Sequence, residues 1–254
     1  MKIRLSIFLI ITVLCCSLAS CVSEPAEASL ELSDSEAYSA TLSETEDYGQ
    51  EYIDSLIFIG ESTTYHLKSR GVLKDGENTR QVWAPKSGTV NLDMGTKNLK
   101  IVYPNTSELL TCAEAAEKAK PEYVIFTFGL NGAVNNVRKG EEYYKSCYRS
   151  LINSVREASP DTKIILQSAF PIASNMDMSN YSVDLQTLNE YIDVINLWTL
   201  ELACEDGLRY LNTAEILKDG QGLLRFELQA GDGHHLTAEA YREILSYIRT
   251  HGYV

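Results

Sequence analysis

The stretch Leu56-Ile57-Phe58-Ile59-Gly60-Glu61-Ser62 joins a compact apolar run to a glycine, an acid and a serine. An uninterrupted apolar run of this length, ended by glycine, is typical of a strand that is buried on both faces of a parallel sheet. Three later runs have the same texture, at residues 123–128, 163–168 and 208–212. The chain therefore contains at least four predicted strands of the buried, parallel type.

Longer stretches with apolar residues three and four apart separate these runs, which predicts helices over residues 107–120, 141–158, 185–205 and 237–251. Strands that alternate with helices predict an α/β domain, a three-layer α/β/α sandwich with a mainly parallel central sheet. Ligands of such sheets bind beyond the carboxyl ends of the strands. The residues just after Gly60 and Gly129 are therefore the first place to look for chemistry.

Composition agrees with one sizeable globular domain. The 254 residues are 44% hydrophobic and 22% charged, which excludes a largely disordered or fibrous chain. The formal net charge is −13. A chain this acidic is not attracted to phosphate backbones, so nucleic acid is not an expected partner.

The N-terminus has the pattern of a secretory signal peptide over residues 1–20. Lys2 and Arg4 precede an almost unbroken apolar run over residues 5–18, and small residues follow it. The sequence Leu18-Ala19-Ser20-Cys21 resembles the lipobox of bacterial lipoproteins, in which the cysteine is acylated and becomes the new N-terminus. Cys21 is therefore the expected lipid anchor, and the expected location is extracytoplasmic on a bacterial cell membrane. A secreted protein with a cysteine near its cleavage site is the alternative.

Residues 21–50 are predicted to be an acidic, flexible tether, because residues 22–50 hold eight acidic residues and no Lys or Arg. The predicted folded domain then covers residues 51–254. Beyond Cys21 the chain has Cys112, Cys147 and Cys204. An odd number does not suggest a disulfide framework, so buried thiols are expected, although one pair could form.

Three places on this framework carry polar groups suited to acyl transfer. Ser62 follows the first predicted strand and lies near a helix start, where backbone N–H groups favour an oxyanion. Asn131 follows the second of the listed strands and could point into the same crevice. Asp232 and His235 lie before the last helix, at a spacing that lets a carboxylate fix an imidazole tautomer. Each place alone has a common structural interpretation as a helix cap or a turn.

Together these places resemble the motif blocks of the SGNH hydrolases, also called GDSL-like esterases and lipases. Gly60-Glu61-Ser62 is similar to the first block, usually Gly-Asp-Ser, and Gly129-Leu130-Asn131-Gly132 is similar to the Gly-x-Asn-Asp block. Asp232-Gly233-His234-His235 is similar to the Asp-x-x-His block, so spacing selects His235 over His234. The lone glycine of the remaining block corresponds best to Gly88, with Gly95 as the alternative.

The resemblance implies a flavodoxin-like fold and a serine mechanism without metal or other cofactor. In that mechanism Ser62 is the nucleophile, His235 accepts its proton, and Asp232 orients His235. The backbone N–H groups of Ser62 and Gly88 and the side-chain amide of Asn131 would hold the oxyanion. Glu61 and Gly132 depart from the usual Asp at their positions, which puts in doubt the hydrogen bonds that brace the loops.

The expected activity is a serine esterase that removes small, acetyl-type groups, with carbohydrate as the expected carrier because an anchored enzyme facing outward meets glycans. The partners are then an acyl ester or acylated glycan and, through Cys21, a membrane. A lysophospholipase, a thioesterase or an O-acyltransferase of the same fold is an alternative enzyme. A non-catalytic binding lipoprotein is the alternative from another class.

A few residues near these motifs have open interpretations. A metal site at Asp232, His234 and His235 is disfavoured, because adjacent histidines are expected to diverge and a catalytic zinc needs three convergent ligands. His66 could line the pocket or lie on a helix surface, and Trp83 could stack on a sugar or belong to the core. Residues 173–184 could be a lid or an ordinary surface loop.

Overall fold

The structure is a computed structural model that describes Ser35 and residues 39–253. The predicted signal peptide over residues 1–20 and the predicted anchor Cys21 lie outside the described residues. Within residues 39–253, no helix combines the length and the apolar character needed to cross a membrane.

The centre of the fold is a five-stranded sheet in which every pairing is parallel. Its strands are β1 (Leu56–Gly60), β2 (Val82–Trp83), β5 (Tyr123–Thr127), β6 (Lys163–Gln167) and β7 (Arg209–Leu211). The strand order is β2-β1-β5-β6-β7. This sheet confirms the predicted fold class.

Helices cover both faces of the sheet. They are α1 (Gly49–Ser55), α2 (Ser62–Ser69), α3 (Cys112–Ala119), α4 (Ala133–Lys139), α5 (Glu141–Ala158), α6 (Leu185–Glu205), α7 (Ala214–Leu217) and α8 (Ala238–Arg249). The predicted helices over 141–158 and 185–205 match α5 and α6 at both ends.

Successive side chains of each strand point to opposite faces of the sheet, so the core consists of two clusters, one on each face. In β5, Val124 and Phe126 pack in the cluster that contains residues of α3, α5 and α6. Ile125 packs in the other cluster, with residues of α1, α2 and α8. Because successive side chains of a strand point to opposite faces, continuous apolar strands are what a sheet covered on both sides requires.

A short antiparallel pair was not predicted from the sequence. Strands β3 (Ile101–Val102) and β4 (Leu109–Leu110) pair with each other, and the helix predicted over 107–120 begins only at Cys112. A capping box fixes this start: Thr111 accepts from the backbone N–H of Glu114, whose side chain accepts from the backbone N–H of Thr111. Strong local capping therefore places the helix start five residues later than periodicity suggests.

Contact with the domain begins before residue 51, where the predicted tether ends. Thr41 forms a parallel bridge with Tyr210, and the backbone N–H of Leu42 donates to the carbonyl of Tyr210 at 2.8 Å. Ala40 and Leu42 are buried, and Asp47 is paired with Arg249. The part of the predicted tether over residues 39–50 is therefore packed against the sheet edge and α8, which corrects the predicted boundary.

Two side-chain predictions can be placed in this framework. Trp83 is buried in the core, at 2% exposure, so it is not available to stack on a sugar. Cys112 and Cys147 are buried thiols, and no disulfide joins cysteines within the described residues.

A buried hydrogen bond connects α8 to the first turn of α2. The Tyr241 hydroxyl donates to the carbonyl of Thr63 at 2.5 Å, and both residues are buried. Thr63 directly follows Ser62, so this bond fixes the first turn of α2 against the helix that follows the histidine motif.

We predict that Tyr241→Phe lowers the free energy of unfolding by about 1 kcal/mol, because it removes a buried hydrogen bond between α8 and α2. Tyr247→Phe is the matched control in the same helix, since the Tyr247 hydroxyl bonds the exposed Glu215 side chain. Urea unfolding of the two variants measures the difference. Equal losses for both variants would contradict the role of the Thr63 bond.

Candidate active site

Ser62 lies where β1 passes into α2. Glu61 is the extended residue before the helix, and Ser62 is the first helical residue. The first N–H groups of a helix have no intrahelical acceptor, and the helix dipole makes that end partly positive. The hydroxyl of Ser62 therefore lies beside donors that can stabilise negative charge.

Glu61 connects the end of β1 to the loop after β5. Its carboxylate is buried and accepts the backbone N–H of Gly129 at 2.7 Å and that of Asn131 at 2.8 Å. Burial raises the pKa of Glu61 to about 8, and the hydrogen bonds from Gly129, Asn131 and Leu130 oppose that rise. The longer side chain of Glu61 thus supplies the loop bracing that the departure from Asp had put in doubt.

The loop before α8 brings a histidine and a carboxylate to Ser62. Nδ1 of His235 lies 2.7 Å from Oδ2 of Asp232, and Nε2 of His235 lies 3.0 Å from Oγ of Ser62. With Nδ1–H donated to the carboxylate, Nε2 is free to accept the serine proton. The three predicted catalytic residues therefore lie in one hydrogen-bonded series.

The Asp232 carboxylate also organises the backbone around it. Its Oδ1 accepts the backbone N–H of His234 at 3.1 Å and that of His235 at 2.9 Å. Burial acts to raise the pKa of Asp232, but the hydrogen bonds from the His235 backbone and ring and from the His234 backbone outweigh it. The net effect holds this pKa well below its usual range, so the carboxylate is charged at neutral pH.

Residues outside the motifs support this loop, and no sequence pattern marks them. Oε1 of Gln229 accepts the backbone N–H groups of Gly231 at 2.5 Å and Gly233 at 3.2 Å. Gly233 has φ of 83°, and a Cβ there would lie 2.6 Å from backbone atoms of Met176. The carbonyl of Gly233 accepts the backbone N–H of Ala173 at 2.7 Å. The start of the 173–184 segment is therefore a support for the histidine loop.

The predicted oxyanion donors differ in their availability. The backbone N–H of Gly88 donates to the carbonyl of Pro85 at 2.9 Å, within its own turn. Gly95, the alternative, donates its backbone N–H to Oδ1 of Asp93 at 2.6 Å. The side-chain amide of Asn131 donates one N–H to the carbonyl of Val90 at 3.2 Å and has a second N–H to offer. Either glycine would have to leave its turn before it could bind an oxyanion.

His66 contacts the site instead of lying apart on the surface of α2. Its ring centroid is 4.2 Å from that of His235, and its Nδ1 is buried without a hydrogen-bond partner among the described residues. Burial, together with the neighbouring His235 and Arg70, lowers the pKa of His66 to about 4. A neutral imidazole therefore packs beside the predicted base.

The two adjacent histidines converge, contrary to the prediction that they diverge. The rings of His234 and His235 are 3.9 Å apart between centroids. One ligand atom each from Asp232, His234 and His235 lie within 4.8 Å of one another. The cause is the backbone turn around Asp232, which directs both side chains toward its carboxylate.

The arrangement can move a proton from Ser62 to His235 while Asp232 balances the charge that forms on the ring. The fold and the site together place the chain in the class of α/β proteins whose serine, histidine and carboxylate meet at the carboxyl edge of a parallel sheet. The chain belongs to the GDSL-like lipase/acylhydrolase family, whose model matches residues 58–243. It is therefore a hydrolase of ester bonds.

Solved structures are similar in fold. A candidate platelet activating factor from Streptococcus pneumoniae is 18% identical, with a TM-score of 0.53 over 81% of this chain and 91% of that chain. A GDSL-like lipase from Bacteroides thetaiotaomicron is 16% identical, with a TM-score of 0.50 over 80% of this chain and 93% of that chain. No curated protein matches the chain. At these identities the likeness shows the fold.

We predict a pH-dependent contribution of Glu61 to stability. Between its ordinary pKa of 4.5 and about 8, the folded chain holds a proton on Glu61 that the unfolded chain has released. The contribution of Glu61 to the free energy of unfolding therefore falls by about a few kcal/mol as the pH rises through this interval.

The measurement is urea unfolding of the wild type and of Glu61→Gln, which has no such proton, at several pH values across the interval. The difference in unfolding free energy, wild type minus variant, should decrease steadily with rising pH. A difference that does not change with pH would mean that the carboxylate is ionised throughout.

Proposed function

We propose that this hydrolase is a serine esterase that removes small, acetyl-type acyl groups, with acylated carbohydrate as its substrate class. The observation that carries the proposal is the hydrogen-bonded series from Ser62 through His235 to Asp232, with separations of 3.0 and 2.7 Å. Separations in this range are what a nucleophile and its base need before reaction.

In the proposed mechanism, Oγ of Ser62 attacks the ester carbonyl as its proton passes to Nε2 of His235. The oxyanion forms next to the N-terminus of α2, where the backbone N–H of Ser62 and the second side-chain N–H of Asn131 are the candidate donors. His235 then gives its proton to the leaving alcohol, and water attacks the acyl-serine by the reverse sequence. Each oxyanion donor contributes about 3 kcal/mol of transition-state stabilisation in comparable sites.

The space near the site supports a small acyl group. An apolar cavity lined by Gly60, Trp83, Val90 and Phe128, among others, has a volume of only about 10 Å³. A cavity of this size holds about one water molecule, and a long acyl chain could not enter it without moving the core. This part of the core therefore has no space for a long acyl chain, which agrees with an acetyl-type ester.

An open groove lined by both apolar and polar side chains supports a carbohydrate leaving group. Its volume is about 480 Å³, and its lining includes Val90, Asn91, Asp93 and Asn98. The Val90 carbonyl accepts the Asn131 side chain, which connects this groove to the predicted oxyanion site. Amide and carboxylate groups match the donors and acceptors of sugar hydroxyls.

We predict that Ser62→Ala and His235→Ala each lower kcat on p-nitrophenyl acetate by about 10⁴-fold or more, because each removes a member of the proton-transfer series. Ser69→Ala is the matched control, since Ser69 is an exposed serine on the same helix. Purified full-length protein is assayed, and EDTA should not lower the rate. Full activity in Ser62→Ala would contradict the proposed nucleophile.

Chain-length preference separates this proposal from its alternatives. We expect kcat/KM to fall from p-nitrophenyl acetate to the octanoate, because the apolar cavity is small. A preference for octanoate would instead favour a lysophospholipase or thioesterase. Transfer of the acetyl group to an added sugar would identify an O-acyltransferase, and a folded wild type without any esterase activity would favour a binding lipoprotein.

We also propose that the chain is anchored to the outer side of a bacterial membrane by lipid on Cys21. The support is the sequence Leu18-Ala19-Ser20-Cys21 after an apolar run with a basic start. Cys21→Ser should move the protein from the membrane fraction to the soluble fraction of producing cells. A membrane fraction unchanged by this substitution would contradict the anchor.

A further inference from the structure

The Asp232 carboxylate is shared by two imidazole rings. Its Oδ2 lies 2.7 Å from Nδ1 of His235, and its Oδ1 lies 3.4 Å from Nδ1 of His234. Asp232, His234 and His235 each offer one ligand atom, and these three atoms lie within 4.8 Å of one another. The proposed esterase mechanism uses Asp232 and His235 and leaves His234 without a role.

We propose that Asp232, His234 and His235 form an inhibitory zinc site, in which one bound Zn²⁺ switches off the nucleophile Ser62. The inhibition rests on the proposed function, because it acts through His235 as the base. The zinc site itself rests only on the geometry of the three side chains.

The donor set matches zinc chemistry. Zinc binds imidazole nitrogen and carboxylate oxygen at about 2.0–2.2 Å in tetrahedral sites, so its ligand atoms lie roughly 3.3 Å from one another. The separations of 3.4 Å to Oδ1 and 2.7 Å to Oδ2 of Asp232 lie on either side of that value. Two nitrogens and one carboxylate are a poor set for Mg²⁺ or Ca²⁺, which prefer oxygen ligands throughout.

The three side chains are open to an ion from solvent. The exposed fractions are 47% for the Asp232 side chain, 25% for His234 and 19% for His235. A solvent-facing position can supply water as the fourth ligand. The ion would enter without rearrangement of the core.

Zinc at Nδ1 of His235 would reverse the polarity of the ring. In the metal-free site Nδ1 carries the proton and Nε2 accepts the hydroxyl of Ser62. Zinc takes the Nδ1 lone pair in place of a water ligand, and the ring proton then lies on Nε2. An Nε2–H group donates to Ser62 and cannot accept its proton, so attack on the ester stops.

The test compares zinc inhibition of p-nitrophenyl acetate hydrolysis in the wild type, His234→Ala and His66→Ala. Each variant is normalised to its own rate without zinc. We expect His234→Ala to raise the half-inhibitory zinc concentration by about tenfold or more, since it removes one of three ligands. His66→Ala should keep the wild-type sensitivity, MgCl₂ should not inhibit, and EDTA should restore the wild-type rate.

A binding measurement separates the zinc site from the esterase proposal. Calorimetric titration of Ser62→Ala with ZnCl₂ should give one site, and the double variant Ser62→Ala/His234→Ala should bind about tenfold more weakly or not at all. This readout remains valid if the wild type proves to have no esterase activity. Equal zinc affinity with and without His234, or equal inhibition of His234→Ala and wild type, would overturn the proposal. Loss of inhibition in His66→Ala alone would also overturn it, in favour of a site between His66 and His235.

Discussion

The hydrogen bonds from backbone N–H groups to the buried Glu61 carboxylate are the constraint on which the site depends. Strands β1 and β5 are parallel neighbours, and their register pairs Gly60 with Thr127. The carboxyl ends of β1 and β5 therefore lie side by side. Strand pairing alone does not fix the positions of the two loops that follow them. Glu61 joins them by accepting the backbone N–H groups of Gly129 and Asn131. The nucleophile on one loop and the amide on the other are positioned by this single side chain.

This constraint accounts for one of the two departures from the usual family motifs, and local backbone conformation accounts for the other. A glutamate stem reaches across the gap from the end of β1 to the loop after β5, so the carboxylate function of the usual Asp is kept. Gly132, which stands where the Gly-x-Asn-Asp block usually has Asp, has φ of 77° at the start of α4. That left-handed conformation favours glycine, so the turn is made by the backbone and needs no carboxylate.

The architecture follows from the sequence because its signal is local. Apolar strand runs and 3.6-residue periodicity located β1, β5, β6, α5 and α6, since each is long enough to show its own pattern. The pair β3 and β4 has two residues in each strand, which is too short for any period to appear. The packing of residues 39–50 could not be predicted either, because Thr41 pairs with Tyr210, a partner far away in the chain. Acidic composition predicts a flexible tether here, but tertiary contacts hold residues 39–50 against the domain.

The motif spacing predicted which residues meet at the site, and the structure places Ser62, Asp232 and His235 within hydrogen-bond distance. Two of their supports, Gln229 and Met176, could not be predicted, because they act through contacts that exist only after folding. For His66 the sequence left two positions open, and the structure shows the one beside His235. The availability of Gly88 was equally hidden, since its N–H belongs to a turn that no motif encodes. Sequence thus predicts the reacting groups better than it predicts the donors and packing around them.

The turn at Asp232 explains why the rings of His234 and His235 converge although the two residues are adjacent in the chain. Neighbouring side chains diverge along a regular strand or helix, but here both following N–H groups fold back onto one carboxylate oxygen. The same turn places the His235 ring against Oδ2 of Asp232 for proton transfer and the His234 ring near Oδ1 of that carboxylate. A proton and a metal ion then compete for Nδ1 of His235, and only the proton leaves Nε2 able to accept from Ser62. The geometry that best orients the base is therefore also the geometry that exposes it to a metal.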